Sequence, residues 1–290
     1  MITKAILPIA GLGTRMLPAT KAVAKELFPI NCKPALLYLL EECLQSGITD
    51  VLLIISKEKK DIIRFFKDEK RLFERLQSEH KMQYLQDFIR IKQSLRISFA
   101  YQTPNVCGSG GALLAGKAWA NGEDVAVLFG DDVMYTEPNQ PPVTMQLLQA
   151  YNERKGLVVG CQYVTREDIV KYSSMCIVNP YKNWFEVNGI IEKPQNNPPS
   201  LLSGLGRYIV PNAMFSILKQ QAKGCKGKEV GLTEAMHTYL QTNGGLAVVM
   251  KAQRYDIGDK LGLVRAQVEY ALRDETIGEK VKNYIKSLKF

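Results

Sequence analysis

Val51-Leu52-Leu53-Ile54-Ile55-Ser56 runs through five consecutive apolar side chains with no polar residue between them. A strand that is apolar at successive positions hides both faces, which happens when helices cover both sides of a parallel sheet. Runs of the same kind recur at 4–9, 96–101, 125–130 and 157–164. Between them, helical patterns at 34–46, 110–121 and 143–154 have the length of crossover connections. This alternation predicts an α/β fold, a doubly wound, mostly parallel, Rossmann-like sheet. Helix 34–46 carries Pro34 in its first turn and stops at Gly47, the ends that helices favour.

Outward from these runs the texture varies. Segment 58–93 reads as two charged helices inserted between the second and third strands, a candidate subunit contact. From about 166 onward shorter strands and turns take over, with Asn188-Gly189 as a hairpin signal and Pro194, Pro198 and Pro199 in a loop. A helix at 232–242, a strand at 245–251 and terminal helices at 259–273 and 275–287 follow. A single domain over 1–290 is expected, with internal divisions near 166 and 259.

With 46% apolar and 23% charged residues, the 290-residue chain has neither the composition of a disordered protein nor that of a disulfide scaffold. No apolar run approaches the roughly 20 residues of a membrane span. Ala5-Ile6-Leu7-Pro8-Ile9-Ala10 is broken by Pro8 and is unlike a cleavable signal peptide, so a cytoplasmic location is expected. Cys32, Cys43, Cys107, Cys161, Cys176 and Cys225 form no C-x-x-C, which argues against a zinc cluster or redox pair and predicts mostly buried, reduced thiols. His80 and His237 give no ligand spacing, so any metal must be held by carboxylates. The net charge of +9 suits nucleic acid, a membrane surface or small phosphorylated ligands. Lys57 to Arg75, with eight basic and five acidic residues, reads as a solvated helix face, and no RNA-recognition aromatic motif is present. Phosphorylated small molecules are the expected partners, with no nucleic acid and no membrane.

Four places carry chemistry. The first strand runs into Gly11-Leu12-Gly13-Thr14-Arg15, where glycines let backbone N–H groups approach an anion at the carboxyl end of a strand. Met16 stands where a dinucleotide fingerprint needs glycine. The irregular stretch that follows, through Lys21, Lys25-Glu26 and Lys33-Pro34, is suited to wrapping a triphosphate, with Arg15 and Lys25 neutralising charge during transfer. Gly108-Ser109-Gly110-Gly111 follows the third strand and Gln102. Gly111 through Lys117 fits G-x-x-x-x-G-K, but Ala118 lacks the metal-binding hydroxyl and the interior favours helix, so a P-loop is rejected. The first glycines remain as a close-approach turn opening a helix, with Gln102 free to bond a base edge. Gly130-Asp131-Asp132 ends the fourth strand. Adjacent carboxylates there suggest a divalent cation or a sugar hydroxyl, and Asp256 in Arg254-Tyr255-Asp256-Ile257-Gly258-Asp259 offers a second metal ligand far downstream. Glu192-Lys193-Pro194 places a carboxylate for sugar hydroxyls beside a cation for a sugar phosphate.

In this order the blocks resemble the sugar-1-phosphate nucleotidyltransferases, most closely the bacterial UTP:glucose-1-phosphate uridylyltransferases. The opening signature A-G-L-G-T-R-x-L-P-A-T-K runs from Ala10 to Lys21, and Gly206-Arg207-Tyr208 and Leu232-Thr233-Glu234-Ala235 match later blocks. The resemblance implies uridylyl transfer from UTP to glucose 1-phosphate by in-line attack on the α-phosphorus, releasing UDP-glucose and pyrophosphate with Mg2+ as cofactor. It implies a nucleotide-binding part at 1–165, a smaller sugar-binding α+β part at 166–258, C-terminal helices at 259–290, and a homodimer or homotetramer. Carried over by motif, Ala10, Gly11, Leu12, Gly13, Gln102 and Gly108 would bind the nucleotide. Arg15 and Lys25 would be catalytic, Asp131 and Asp256 would ligate the metal, and Asp132, Glu192 and Lys193 would contact the sugar phosphate. The chain departs from the pattern in three places. One extra residue lies between Gln102 and Gly108, with Gly111 in place of a histidine; Ser173-Ser174-Met175 stands where the family has a glycine; Gly231 replaces a glutamine. The blocks also suit dTTP, another hexose 1-phosphate, or a UDP-sugar-binding paralogue that regulates a partner enzyme.

Overall fold

A computed structural model describes residues 1–224 and 229–289. The first half of the chain runs β1 (Lys4–Pro8), a short hairpin β2 (Pro29–Ile30) and β3 (Lys33–Pro34), α1 (Ala35–Gln45), β4 (Asp50–Ile55), α2 (Lys60–Phe65), α3 (Lys70–Ser78), α4 (Gln86–Ser94), β5 (Arg96–Tyr101), α5 (Gly108–Ala115), α6 (Lys117–Ala120), β6 (Val125–Leu128), β7 (Asp132–Tyr135) and α7 (Val143–Glu153). There follow β8 (Leu157–Tyr163), β9 (Ser173–Tyr181), β10 (Trp184–Glu192), β11 (Leu202–Val210), α8 (Met214–Gly224), α9 (Leu232–Asn243), β12 (Gly245–Val249), β13 (Gln253–Asp256), α10 (Lys260–Arg273) and α11 (Gly278–Ser287).

Nine strands form one sheet in the order β5-β4-β1-β6-β11-β8-β12-β10-β9. β4, β5 and β6 join β1 in a parallel block, and β8 pairs parallel with β12. β11 enters antiparallel between β6 and β8, so the sheet is mixed although most strands share one direction. The apolar run at 51–55 is explained by the two layers it feeds. Val51, Leu53 and Ile55 pack on one face with Leu36, Leu39 and Leu40 of α1, while Leu52 and Ile54 pack on the other with Leu113 of α5 and Leu218 of α8. Each fully buried Leu or Ile contributes on the order of 2 kcal/mol. The strand order reverses at β1 and β6, and the crevice beyond their carboxyl ends is where such sheets take ligands.

Several local expectations are corrected. Segment 58–93 holds three helices and a 3-10 turn rather than two helices, and Lys59 within its charged run is buried, because Glu26 lies beside it. The helix expected over 110–121 breaks at Gly116, where a Cβ would lie 2.6 Å from Ile6 Cδ1 of β1. Asn188-Gly189 is no hairpin turn. It sits inside β10 at a register irregularity, where a Cβ on Gly189 would stand 3.2 Å from Cys176 Sγ and from His237 Cε1 of α9. The turn between β9 and β10 lies instead at Lys182, in the left-handed region with φ of 51°. Cys43 and Cys161 are buried and Cys176 half-buried, but Cys32 and Cys107 are exposed, and Cys225 lies outside the described residues. Among the described residues no helix is long and apolar enough to cross a membrane.

One buried ion pair ties the first helix to the sheet. Arg207 of β11, 1% exposed, donates from Nε to Glu42 Oε1 at 2.9 Å and from Nη2 to Glu42 Oε2 at 2.7 Å. The backbone N–H and hydroxyl of Thr144 also donate to Glu42 Oε1. Arg207 Nη2 reaches the Asp132 carbonyl at 2.8 Å, so the pair anchors the turn that ends β6.

Two predictions follow from this packing. Arg207→Met leaves the Glu42 carboxylate buried without its cation and is expected to lower unfolding stability in urea by about 3–5 kcal/mol, with Glu42→Leu/Arg207→Met recovering more than half of that loss. Burial pushes the Cys43 and Cys161 thiols far above their ordinary range. Alkylation at mild pH, followed by peptide mapping, should therefore label Cys32 and Cys107 quickly and leave Cys43 and Cys161 unmodified until the protein unfolds.

Candidate active site

Two cavities meet at the carboxyl ends of β1 and β6. The first, about 400 Å³, is lined by Ala10, Gly11, Lys25, Gln102 and Gly108 together with Asp131. The second, about 200 Å³, is lined by Asp132, Ser173, Glu192, Arg254 and Asp256, again with Asp131. Asp131, Phe129 and Ser109 belong to both walls, so a ligand in one cavity touches residues of the other.

The first cavity is built by close backbone approach. Nothing lies within 4 Å of where a Cβ on Gly11 would stand, leaving room for a ligand against the chain. Gly13 has φ of 66°, and Thr20 Oγ1 braces the turn by donating to its carbonyl at 2.9 Å. Gly130 has no room for a side chain, since a Cβ would lie 2.3 Å from Ile9 Cγ2. At the far wall, Gln102 Nε2 donates to the Val106 carbonyl at 3.1 Å and to the Gly108 carbonyl at 3.0 Å. Its amide nitrogen is thus committed to the loop, and what it can offer a base edge is the Oε1 acceptor. A Cβ on Gly111 would lie 2.1 Å from the Val106 carbonyl oxygen. The extra residue before Gly108 and the glycine at 111 are therefore one feature, because the loop folds onto the helix where a side chain would stand.

Charge concentrates where the cavities join. Lys25 Nζ donates to Asp131 Oδ2 at 2.5 Å. Burial alone would lower the lysine pKa, but the Asp131 and Glu26 carboxylates outweigh it and hold the ammonium above its usual value. Burial likewise opposes ionisation of Asp131, and Lys25 overcomes it to keep this carboxylate below the ordinary range. Glu26, also on the wall of the first cavity, pairs with Lys59, whose Nζ sits 2.7 Å from Glu26 Oε2 and 2.8 Å from the Ile9 carbonyl, clamping the end of β1.

β13 brings the distant carboxylate in. It pairs antiparallel with β7, with Asp256 opposite Asp132, and the Ile257 N–H donates to the Asp131 carbonyl at 2.8 Å. A Cβ on Gly258 would stand 3.0 Å from Asp131 Oδ2, 3.2 Å from Asp256 Oδ1 and 2.9 Å from Arg15 Nη2. Asp131 Oδ2, paired with Lys25, and Asp256 Oδ1, which accepts the Gly258 N–H at 3.0 Å, thus converge on one glycine beside the Arg15 guanidinium. Two hard oxygen donors suit magnesium, which takes its remaining ligands from phosphate oxygens and water. Among the described residues no group of three or more His, Cys, Asp or Glu converges, so a metal here would depend on its substrates for coordination.

Asp132 takes a different part from its neighbour. It is 4% exposed, and Arg254 Nε donates to its Oδ1 at 2.5 Å. Burial pushes its pKa up and Asp131 adds to the rise, against the pull of Arg254. Oδ2 packs over Gly206, where a Cβ would lie 2.1 Å away and φ is 59°. Arg254 stacks 5.1 Å above the Tyr172 ring and reaches within 3.7 Å of Asp256 Oδ2, bridging the carboxylates of the second cavity.

Of the residues singled out from the sequence, Ala10, Gly11, Lys25, Gln102, Gly108, Asp131, Asp132, Glu192 and Asp256 line the cavities. Leu12, Gly13, Arg15 and Lys193 line neither. Arg15 is largely exposed, 3.9 Å from Asp256 Oδ1, and Lys193 is an exposed residue 3.9 Å from Glu192 Oε1. Sequence reading missed Lys59, Glu42 and Arg254. Lys59 lies in a run that reads as solvated, Glu42 in a mainly apolar helix and Arg254 in a stretch singled out for Asp256, and only the tertiary pairing shows the part of each.

A family profile described as nucleotidyl transferase matches residues 4–272. The chain is 38% identical to the UTP--glucose-1-phosphate uridylyltransferase 2 of Streptococcus pyogenes, over 98% of this chain and 95% of that protein. It superposes on the UTP-bound UGPase from Acinetobacter baumannii with a TM-score of 0.89 and 28% identity, all of both chains being covered. A UDP-glucose pyrophosphorylase complexed with UDP-glucose gives a TM-score of 0.85 at 29% identity, covering 94% of this chain and all of the other. With this sheet, these cavities and a match over most of its length, the chain belongs to the nucleotidyl transferase family.

Proposed function

We propose that the chain transfers a uridylyl group from UTP to glucose 1-phosphate, giving UDP-glucose and pyrophosphate. The observation that carries this reading is the junction at Asp131, where a glycine-walled cavity and a carboxylate-rich cavity share one wall beside Lys25. Uridylyl transfer needs a triphosphate and a sugar phosphate to meet there, and relatives named for UTP and UDP-glucose match 94% or more of the chain.

The nucleotide occupies the first cavity, its phosphates against the backbone of Ala10 to Gly13 and its base toward Gln102 and Gly108. Uracil presents an N3–H donor, which the Gln102 Oε1 acceptor complements. The hexose lies in the second cavity against Glu192 and Asp132. An oxygen of the sugar phosphate attacks the α-phosphorus, and the bond to the bridging β-oxygen breaks in line, releasing pyrophosphate. Lys25 neutralises charge on the α-phosphate as it develops, and the exposed Arg15 and Lys193 swing onto the phosphates when substrates fill the crevice. Asp131 and Asp256 would hold magnesium, which when bound would withdraw charge from the phosphate oxygens. Arg254 keeps Asp132 paired, so that only one of the adjacent carboxylates is given to the metal.

A dimer or tetramer is part of this reading. Leu261, Val264, Val268 and Leu272 are exposed along one stripe of α10 at helical spacing, an apolar face suited to a second copy.

The reading is tested by supplying glucose 1-phosphate and magnesium with UTP, dTTP, ATP, CTP and GTP in separate reactions. Pyrophosphate release with UTP is expected, and release with none of them would overturn it. Lys25→Ala and Asp131→Asn should each lower kcat by about 100-fold or more while the protein stays folded by circular dichroism. Asp256→Asn should raise the magnesium concentration for half-maximal rate by about tenfold or more, measured by titration at saturating substrates.

A further inference from the structure

Ser173 opens β9 and lies directly across from Glu192, the last residue of β10, in the register of that strand pair. Directly opposed side chains on one face of a sheet stand about 5 Å apart. Both residues line the second cavity, and Ser173 is 5% exposed. Its hydroxyl donates its only proton to the Gly204 carbonyl at 3.2 Å. A Cβ on Gly204 would stand 3.2 Å from the same oxygen, so the strand β11 backbone holds the hydroxyl in place. With the proton committed, the remaining lone pairs of Oγ can only accept. Glu192 is arranged in the same sense. Thr233 Oγ1 donates to its Oε2 at 2.8 Å, which fixes the carboxylate and leaves acceptor capacity on Oε1.

We infer that Ser173 is a specificity-determining residue that reads one hydroxyl of the hexose as a hydrogen-bond donor, beside the hydroxyl read by Glu192. The inference rests on the proposed uridylyl transfer and goes beyond it by fixing what the second cavity selects. Two adjacent acceptors favour a hexose with free hydroxyls at both positions. A substituent that presents a carbonyl or carboxylate oxygen there meets acceptor with acceptor and is disfavoured.

The test is a matrix of kcat/KM values from pyrophosphate release with UTP. The sugars are glucose 1-phosphate and its 2-, 3-, 4- and 6-deoxy analogues, with deoxyfluoro analogues at the sensitive positions. The proteins are the wild type, S173A and S173G. In the wild type at least two deoxy positions should lose about tenfold. Fluorine accepts but does not donate, so the matching fluoro analogues should lose as much as the deoxy ones. In S173A the parent sugar should lose about tenfold, the loss at one deoxy position should vanish, the loss at the other should remain, and KM for UTP should stay within about twofold. S173G gives the same pattern by a second route should S173A melt early. Wild-type penalties retained at every position in both variants would overturn the inference while leaving uridylyl transfer standing. Fluoro analogues as good as the parent would overturn it too. No pyrophosphate from the wild type with any of the sugars would overturn the proposed function and this inference together.

Discussion

A guanidinium buried in a sheet must be balanced where it stands, and Arg207 is paired with Glu42 of α1. That constraint fixes more than a helix. Nη2 of the same side chain holds the Asp132 carbonyl, so the turn after β6 is set by an ion pair beneath it as well as by Gly130 within it. From that turn the site unfolds in order. Gly206 offers a surface without a side chain for Asp132, Arg254 closes over it, and Asp131 is turned toward Lys25. A buried pair of this kind adds little stability compared with an apolar replacement, and it is better understood as fixing position.

Adjacent carboxylates in a half-buried turn repel each other, and the structure separates their environments. Asp131 faces the first cavity beside a lysine and stays ionised; Asp132 is sunk beneath an arginine that itself leans on Tyr172 and Asp256. Environments that push two neighbouring acids apart commonly give them different tasks. In the proposed reaction this difference gives Asp131 to the phosphates and metal and Asp132 to the floor of the second cavity. The pairing of β13 with β7 supplies Asp256 from 125 positions along the chain after Asp131.

Much of this was legible in the order of residues. The apolar runs at 4–9 and 51–56 announce strands buried on both faces, and two core layers confirm why no polar residue interrupts them. Asp131 stood out because it ends such a strand, and Gly11 because it follows one. Long-range pairing stayed hidden. Lys59 lies in a run that reads as solvated, and only the fold puts Glu26 beside it. Asn188-Gly189 has the composition of a hairpin turn, yet α9 packs on Gly189 and demands a small residue inside a strand. Arg15 and Lys193 were chosen for their charge, and both stand at the rim, where a long cation keeps its head in water.

In the proposed reaction the carboxylates of Asp131 and Asp256 form one metal-and-phosphate centre at the point where the strand order reverses. The most direct measurement is the anomalous scattering of manganese in crystals of this protein grown with UTP. The expected result is a single strong peak in contact with both carboxylates, with the triphosphate lying over Gly11 and Lys25. A peak held by Asp132 or Glu192 instead, or a nucleotide bound away from the ends of β1 and β6, would contradict it.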